Sequence, residues 1–328
     1  MEKSEFLAKK LKEGLREHEV MRDHTTMHVG GVADFYYEAK TSGDLIAAVD
    51  AAIEINIPYF ILGAGSNVIF SDFGFPGLVI RNLTHNVAFM MEESQVIVDS
   101  GVSMAKLILD SVSHNLAGLE FLFGVPGTVG GAIYGDIGAN GQSIGDYVKF
   151  VTLLIPGEAG EKSEVVQYPA KWFEFGYRTS KLKAMTAKNK PIILSARIQL
   201  AQSRQEEIMR RLNTWKNKRI SSQPDGWSCG STFKNSIPAE LENTSAFGRH
   251  TMPQLPKERT AGYMLDKAGA KKLKVGGAHV SGKHANFIIN SAEAKAQDVR
   301  QLAEQMRNAV REKFNVELEE EIEYVGQW

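Results

Sequence analysis

The run Phe60-Ile61-Leu62-Gly63-Ala64-Gly65-Ser66-Asn67-Val68 constrains the fold of this chain more than any other stretch. A dinucleotide turn that opens a helix needs the pattern G-x-G-x-x-G, whose last glycine lets the helix pack closely on the strand before it. Val68 occupies that third glycine position, and residues 68–80 are apolar, β-branched and aromatic, with turn signals at Gly74 and Pro76-Gly77. The pattern predicts strand, turn, strand. A loop able to aim backbone N–H groups at an anion therefore lies between strands and opens no helix. Either it binds a phosphate through another architecture, or it is only a turn.

Length and charge bound the rest. With 328 residues the chain has room for two or three domains, and a net charge of -1 gives no sign of a nucleic-acid or membrane partner. One cysteine, Cys229, excludes an internal disulfide and fits a reducing cytoplasm. The charged N-terminal residues do not read as a signal peptide, and no apolar run approaches membrane-spanning length. Phe6, Leu7, Leu11 and Leu15 recur near helical spacing and predict an N-terminal amphipathic helix. Further helices are predicted over residues 42–54, capped by Ser42, and over 104–114, 205–219, 261–267 and 294–314. Strands are predicted over 32–39, 59–62, 148–155, 192–200 and 285–289, and the alternating tail from Val316 reads as one more.

A second glycine cluster places seven glycines between Gly124 and Gly141. Glycine in regular structure costs roughly 0.5–1 kcal/mol each, so such a cluster suggests backbone lying against something large and flat. Two glycine loops in β-rich surroundings suit a long ligand with a pyrophosphate and a ring system, such as FAD. The plainer reading is a set of tight crossovers between strands.

Together with Thr25-Thr26, Gly30-Gly31-Val32-Ala33, Leu62 to Asn67, Gly124 to Ala132, Tyr177-Arg178-Thr179-Ser180, Gly230 to Asn235, Lys283 to Asn290 and Leu318 to Ile322, the chain resembles the UDP-N-acetylenolpyruvoylglucosamine reductase (MurB) family. The resemblance runs nearly end to end. It implies an α+β, two-subdomain FAD-binding fold of the vanillyl-alcohol-oxidase type with a C-terminal α+β substrate-binding domain. The expected divisions are 1–80 with 319–328, then 81–222, then 223–318. The short stretch between Arg178 and Gly230 is similar to the second type of the family. The implied activity is a cytoplasmic oxidoreductase of peptidoglycan synthesis, reducing UDP-N-acetylglucosamine enolpyruvate with NADPH as hydride donor and no obligate protein partner.

The resemblance also implies a residue set. FAD would lie on Gly63, Ala64, Gly65, Ser66, Asn67, Gly124, Pro126, Gly127, Thr128, Gly130, Gly131, Ala132, Gly138 and Arg178. Arg178 suits the charge that develops on a substrate carboxylate, because a guanidinium is always charged and binds carboxylates with two parallel bonds. Ser231 matches the proton donor and Glu321 the acid of the family's tail motif. Tyr177, Lys234, Asn235 and His284 are expected at the substrate. Read without the resemblance, Arg178 is a surface arginine, Ser231 a turn serine and Lys234 a solvated lysine. Alternation in the acidic tail separates Glu320 from Glu319, Glu321 and Glu323 but cannot choose among those three. His279 and His284 have no metal-ligand spacing, so no metal is expected. The chain departs from the family at Asp136, Asn140, Ser236 and Glu320, where asparagine, tyrosine, proline and proline are usual. Another oxidoreductase on the same fold, or a nucleotide-binding protein without turnover, are the competing readings.

Overall fold

The computed structural model describes residues 2–11, 13–186, 190–236, 255–291 and 293–328. Helix α1 (Lys3–Leu11) is followed by strands β1 (Arg16–Val20) and β2 (Val32–Ala39), helix α2 (Ser42–Glu54), and strands β3 (Tyr59–Leu62), β4 (Val68–Phe70) and β5 (Phe75–Asn82). The N-terminal helix is shorter than its apolar spacing suggests. Gly14 turns the chain at φ 102 and Arg16 enters β1. Leu15 still packs on the same core as Leu7 and Leu11. The cap of α2 is Thr41 and not Ser42: Asp44 N–H donates to Thr41 Oγ1 at 3.1 Å while Asp44 Oδ2 accepts from Thr41 N–H at 2.9 Å.

The first sheet runs β1-β2-β5-β3, antiparallel at β1–β2 and parallel elsewhere. Strand, turn, strand after the glycine loop is what the structure contains, with the turn at residues 71–74. Pro76 and Gly77, expected in a turn, lie inside β5 at a register shift against Ala33 and Phe35. A bulge tolerates proline because the missing N–H breaks no regular ladder bond.

The second sheet is antiparallel, ordered β12-β11-β13-β7-β6. Its strands are β6 (Val87–Met90), β7 (Gln95–Asp99), β11 (Val148–Ile155), β12 (Glu164–Pro169) and β13 (Ile192–Gln199). Short pairs β8 (Leu116–Ala117) with β14 (Ala201–Gln202), and β9 (Gly138–Ala139) with β10 (Gln142–Ser143), flank it. Helices α3 (Met104–Ser113), α4 (Val129–Tyr134), α5 (Lys181–Ala184) and α6 (Gln205–Ser222) accompany this sheet. Residues of β7, β11 and β13 share a core with Leu107, Ile133, Ile208 and Leu212. Leu154, Ile192 and Leu194 face the other way, into the core of the first sheet, so the two units are packed together.

The third region holds β15 (Lys274–Val275), β16 (Ala278–Val280) and β17 (Ile288–Asn290), with α7 (Ala261–Lys267) and α8 (Ala296–Phe314). Val299, Leu302, Met306 and Val310 form the buried stripe of α8. Residues 285–286, expected in a strand, form the turn before β17, and Phe287 makes a single β-bridge. Asp72 of the first unit caps α8, its two oxygens each accepting an N–H at 2.9 Å, from Ala296 and Gln297.

The tail is not one strand. Only β18 (Glu323–Val325) is extended, pairing in parallel with β4, while Leu318 and Ile322 turn inward four residues apart. Before β18 the backbone is drawn to another partner: Lys234 N–H donates to Glu319 O at 2.9 Å and Glu321 N–H to Thr232 O at 2.8 Å.

Gly74 sits at φ 80, and a Cβ there would lie 1.9 Å from Val32 O. Gly74→Ala is therefore expected to destabilise the protein by more than about 1 kcal/mol. A lower urea midpoint at unchanged slope is the expected result; an unchanged midpoint would contradict this approach of the two backbones.

Candidate active site

The two glycine loops meet. Ser66 Oγ donates to Pro126 O at 3.0 Å, and a Cβ at Gly63 would lie 2.8 Å from Thr128 Oγ1. The second cluster is not loop throughout, for Thr128 caps α4 through Gly131 N–H at 3.3 Å. Several of the glycines answer to protein, not to a ligand. A Cβ at Gly65 would lie 2.1 Å from His24 O, at Gly130 2.9 Å from Ser100 Cβ, and at Gly138 2.6 Å from Gln142 O. The inference that clustered glycine marks a flat ligand is corrected accordingly: at these positions the close neighbour is the chain itself. Gly127, Gly131 and Gly135 are different, with nothing nearer than 3.6 Å, and Gly141 has nothing within 4 Å.

The loop pair fits the pyrophosphate part of FAD. Among the described residues, the N–H groups of Ala64, Gly65, Ser66, Gly127 and Thr128 take no partner. Unpaired N–H groups on two touching loops form an anion-binding concavity.

Arg178 stands at the tip of a two-residue turn closed by Gly176 and Thr179, whose N–H groups bond each other's carbonyls at 3.1 and 3.0 Å. Its φ is 57, a left-handed conformation that is unfavourable for a side chain of this kind. Ser180 Oγ fastens the turn to Tyr134 O at 2.7 Å. Arg178 Nη2 donates to Gly138 O at 2.6 Å, and Nε lies 2.9 Å from Glu321 Oε1. That contact pairs the charges without alignment, for the buried Nε–H has no hydrogen-bond partner. The guanidinium thus keeps donors free for an incoming anion.

The tail resolves which glutamate does what. Glu321 meets Arg178, Glu319 meets Lys234, Glu320 meets Arg307 and Glu323 meets Lys183. Asn67 of the first glycine loop joins this set, Nδ2 donating to Glu321 O at 2.9 Å. Ser231 lies opposite Phe287 in a β-bridge, one residue before Thr232, the acceptor of Glu321 N–H. Its loop is held by buried Asn286, which accepts from Phe233 N–H at 3.0 Å and donates to Phe233 O at 2.8 Å. Cys229 is buried beside it, and burial pushes its thiol up to about 12, so it stays neutral.

Asn235 N–H donates to Tyr177 Oη at 3.1 Å, and Asn235 Oδ1 accepts from Ala261 N–H at the start of α7. The Tyr177 ring lies under the Arg178 guanidinium, 5.5 Å away. Lys234 and Asn235 are therefore committed to protein partners. His284 is drawn elsewhere: its ring packs against Phe287, its Nδ1 accepts from Asn286 N–H at 3.2 Å, and burial lowers its pKa. Among the described residues nothing links His284 directly to Arg178 or Glu321.

Three contributors were given no role from the sequence, although Thr26 and Asn286 lie within motifs that carry the resemblance. Thr26 ties the first glycine loop to the serine loop, its N–H donating to Gly65 O at 3.0 Å and its Oγ1 to Ser228 O at 2.7 Å. Asn286 was visible only inside a longer motif. Arg219 donates from Nε to Phe123 O at 3.3 Å, beside Gly124. Its signal was present: it follows Leu212 and Trp215 at helical spacing, a cation on the apolar face of α6.

Comparison with known proteins places this geometry. Residues 33–159 match an FAD-binding domain family, and the chain is an FAD-dependent oxidoreductase with a non-Rossmann, two-subdomain flavin fold. Residues 222–325 match the C-terminal domain of UDP-N-acetylenolpyruvoylglucosamine reductase. Reductases of that name from Anoxybacillus flavithermus and Caldanaerobacter subterraneus are 32% and 34% identical, covering 95% and 99% of this chain and 94% and 99% of their own. The crystal structure of the reductase from Thermus caldophilus superimposes with a TM-score of 0.73 at 30% identity, over 95% of this chain and 99% of that one. The chain belongs to the UDP-N-acetylenolpyruvoylglucosamine reductase family. Among the described residues no helix is long and apolar enough to cross a membrane.

Arg178→Lys keeps the charge and loses the planar fork. Turnover per bound FAD is expected to fall by about 10²–10³-fold, the scale of one lost transition-state donor. Wild-type turnover in this variant would remove Arg178 from the chemistry.

Proposed function

We propose that the protein reduces UDP-N-acetylglucosamine enolpyruvate to UDP-N-acetylmuramate in the cytoplasm, with NADPH as the hydride source and Arg178, Ser231 and Glu321 as catalytic residues. The single observation that carries this reading is the meeting of Arg178, Glu321 and the Ser231 loop: the Arg178–Glu321 ion pair at 2.9 Å, with Glu321 N–H on Thr232 O. In the division that accompanies this reading, residues 1–80 and 319–328 form one flavin subdomain, 81–222 the other, and 223–318 the substrate-binding domain.

The flavin, when bound, supplies the hydride that the enolpyruvyl β-carbon receives. The protein has three tasks around that transfer. Arg178 holds the substrate carboxylate with its free donors and stabilises the charge that accumulates there as the α-carbon becomes electron-rich. Glu321 keeps the guanidinium aimed while leaving Nε–H unsatisfied, so exchange of Glu321 for the substrate carboxylate loses little. Ser231 gives its hydroxyl proton to the α-carbon. A serine hydroxyl is a weak acid, so the step relies on a strongly basic carbon held within hydrogen-bond reach. Hydride and proton together saturate the double bond, and the serine recovers its proton from solvent.

Lys234 and Asn235 would serve the substrate's phosphates by leaving Glu319 and Tyr177. Glu319 is 73% exposed, which makes that ion pair inexpensive to open.

Anaerobic mixing tests the reading. NADPH should bleach the flavin, and UDP-N-acetylglucosamine enolpyruvate should restore its colour; bleaching without recovery would refute this substrate. Ser231→Ala should leave bleaching near normal and slow recovery by about 10²–10⁴-fold. Equal loss of both half-reactions would exclude Ser231 as the proton donor.

A further inference from the structure

Asp136 is a buried carboxyl group that the chemistry above does not use. It follows α4 at φ 43 and is 1% exposed. Oδ1 accepts from Gly145 N–H at 2.9 Å. Oδ2 is buried without a hydrogen-bond partner, and so is Ser143 Oγ beside it. Among the described residues no cation lies within ion-pair distance. A Cβ at Gly145 would lie 2.8 Å from Oδ1 and 2.9 Å from the Phe175 ring, so this wall is closed and apolar.

A serine hydroxyl both donates and accepts, so Ser143 can serve either form of the carboxyl group. Burial without a cation in ion-pair distance favours the neutral form, because a lone charge held there is costly. In that form Oδ2–H donates to Ser143 Oγ, and Oδ1 keeps its bond from Gly145. Ser143 lies opposite Gly138 in the β9–β10 pair, and Gly138 O is the acceptor of Arg178 Nη2. The chain of contacts therefore runs from Asp136 through Ser143 and Gly138 to Arg178.

We propose that Asp136 is a positioning residue for Arg178, working as a neutral carboxylic acid whose hydroxyl donates to Ser143 and fixes the hairpin that presents the Gly138 carbonyl to the guanidinium. This rests on the role given to Arg178 above. The charged groups facing Asp136 are few. Burial is the largest influence and raises its pKa to about 7; the Gly145 N–H and Ser143 oppose this, Asp146 in the following turn adds to it, and Arg178 opposes it weakly. The folded protein thus binds this proton more tightly than the unfolded chain. The resulting stability is complete below the ordinary aspartate range near ~4 and is lost as pH rises through about 7. Ionisation also sets a negative charge beside the hairpin, in competition with Glu321 for Arg178.

Asp136→Asn copies the neutral acid without titrating, its amide donating to Ser143 and its carbonyl accepting from Gly145. Three measurements on the FAD-loaded protein test the proposal. Wild type should show the infrared carbonyl band of a protonated carboxylic acid at about pH 5 that fades towards about pH 8, and Asp136→Asn should lack it. The melting temperature of wild type should fall over that interval more than that of Asp136→Asn. Asp136→Ala should lower turnover by about tenfold, with Asp136→Asn restoring it and removing the loss at high pH. A missing band, or identical pH slopes in wild type and Asp136→Asn, would overturn the proposal. The band and the melting slopes involve no substrate, so they survive if only the role of Arg178 is wrong, in which case Asp136→Ala and Arg178→Lys would both keep full turnover.

Discussion

Residues 319–325 share one backbone between two partners, and the site depends on that division. The first half is bonded to the serine loop, through Glu319 O and Glu321 N–H. The second half is a strand beside β4, with Glu323 N–H on Asn67 O at 3.0 Å and Ser71 N–H on Val325 O at 2.8 Å. Glu321 lies at the changeover, its carbonyl held by Asn67. Moving the tail by one residue would swap its faces, taking Glu321 from Arg178 and Leu318 and Ile322 from the core. Burial of those two apolar side chains therefore fixes the register of an otherwise polar tail, and with it the placing of one carboxylate.

The glycine loops are built on a similar economy. Gly65 and Gly130 are glycine because other backbone or side-chain atoms occupy the space of a Cβ. Close packing of the loops on residues 24–25 and 100 leaves their remaining N–H groups without partners, and such groups suit a diphosphate. The unpaired N–H groups are here a by-product of tight packing between protein segments. A loop with larger residues would stand away from its neighbours and lose the concavity.

Much of this was legible in the chain. The missing third glycine at Val68 excluded a helix after the first loop, and β2, α2 and β3 lie where their periodicity predicts them. Local pattern failed where long-range partners decide. The tail alternates like a strand, yet half of it bonds to residues 232–234. Ser42 has the chemistry of a cap, but Thr41 has the extended backbone at φ -127 that a cap requires. Four neighbouring glutamates are alike in sequence and differ only in the cation each meets. Lys234 and Asn235 are in the motif that suggested them, whereas nothing local warned that His284 packs against Phe287.

Those four cations come from α5 and the turn before it, the serine loop and α8, all earlier in the chain than the carboxylates they meet. On a ribosome the acids are therefore made after every partner they need. A nascent chain lacking residues 319–323 holds four unmatched positive side chains around an unfinished cleft. Such a chain has no carboxylate to pair with Arg178, so this network of charges closes only when the last strand is in place.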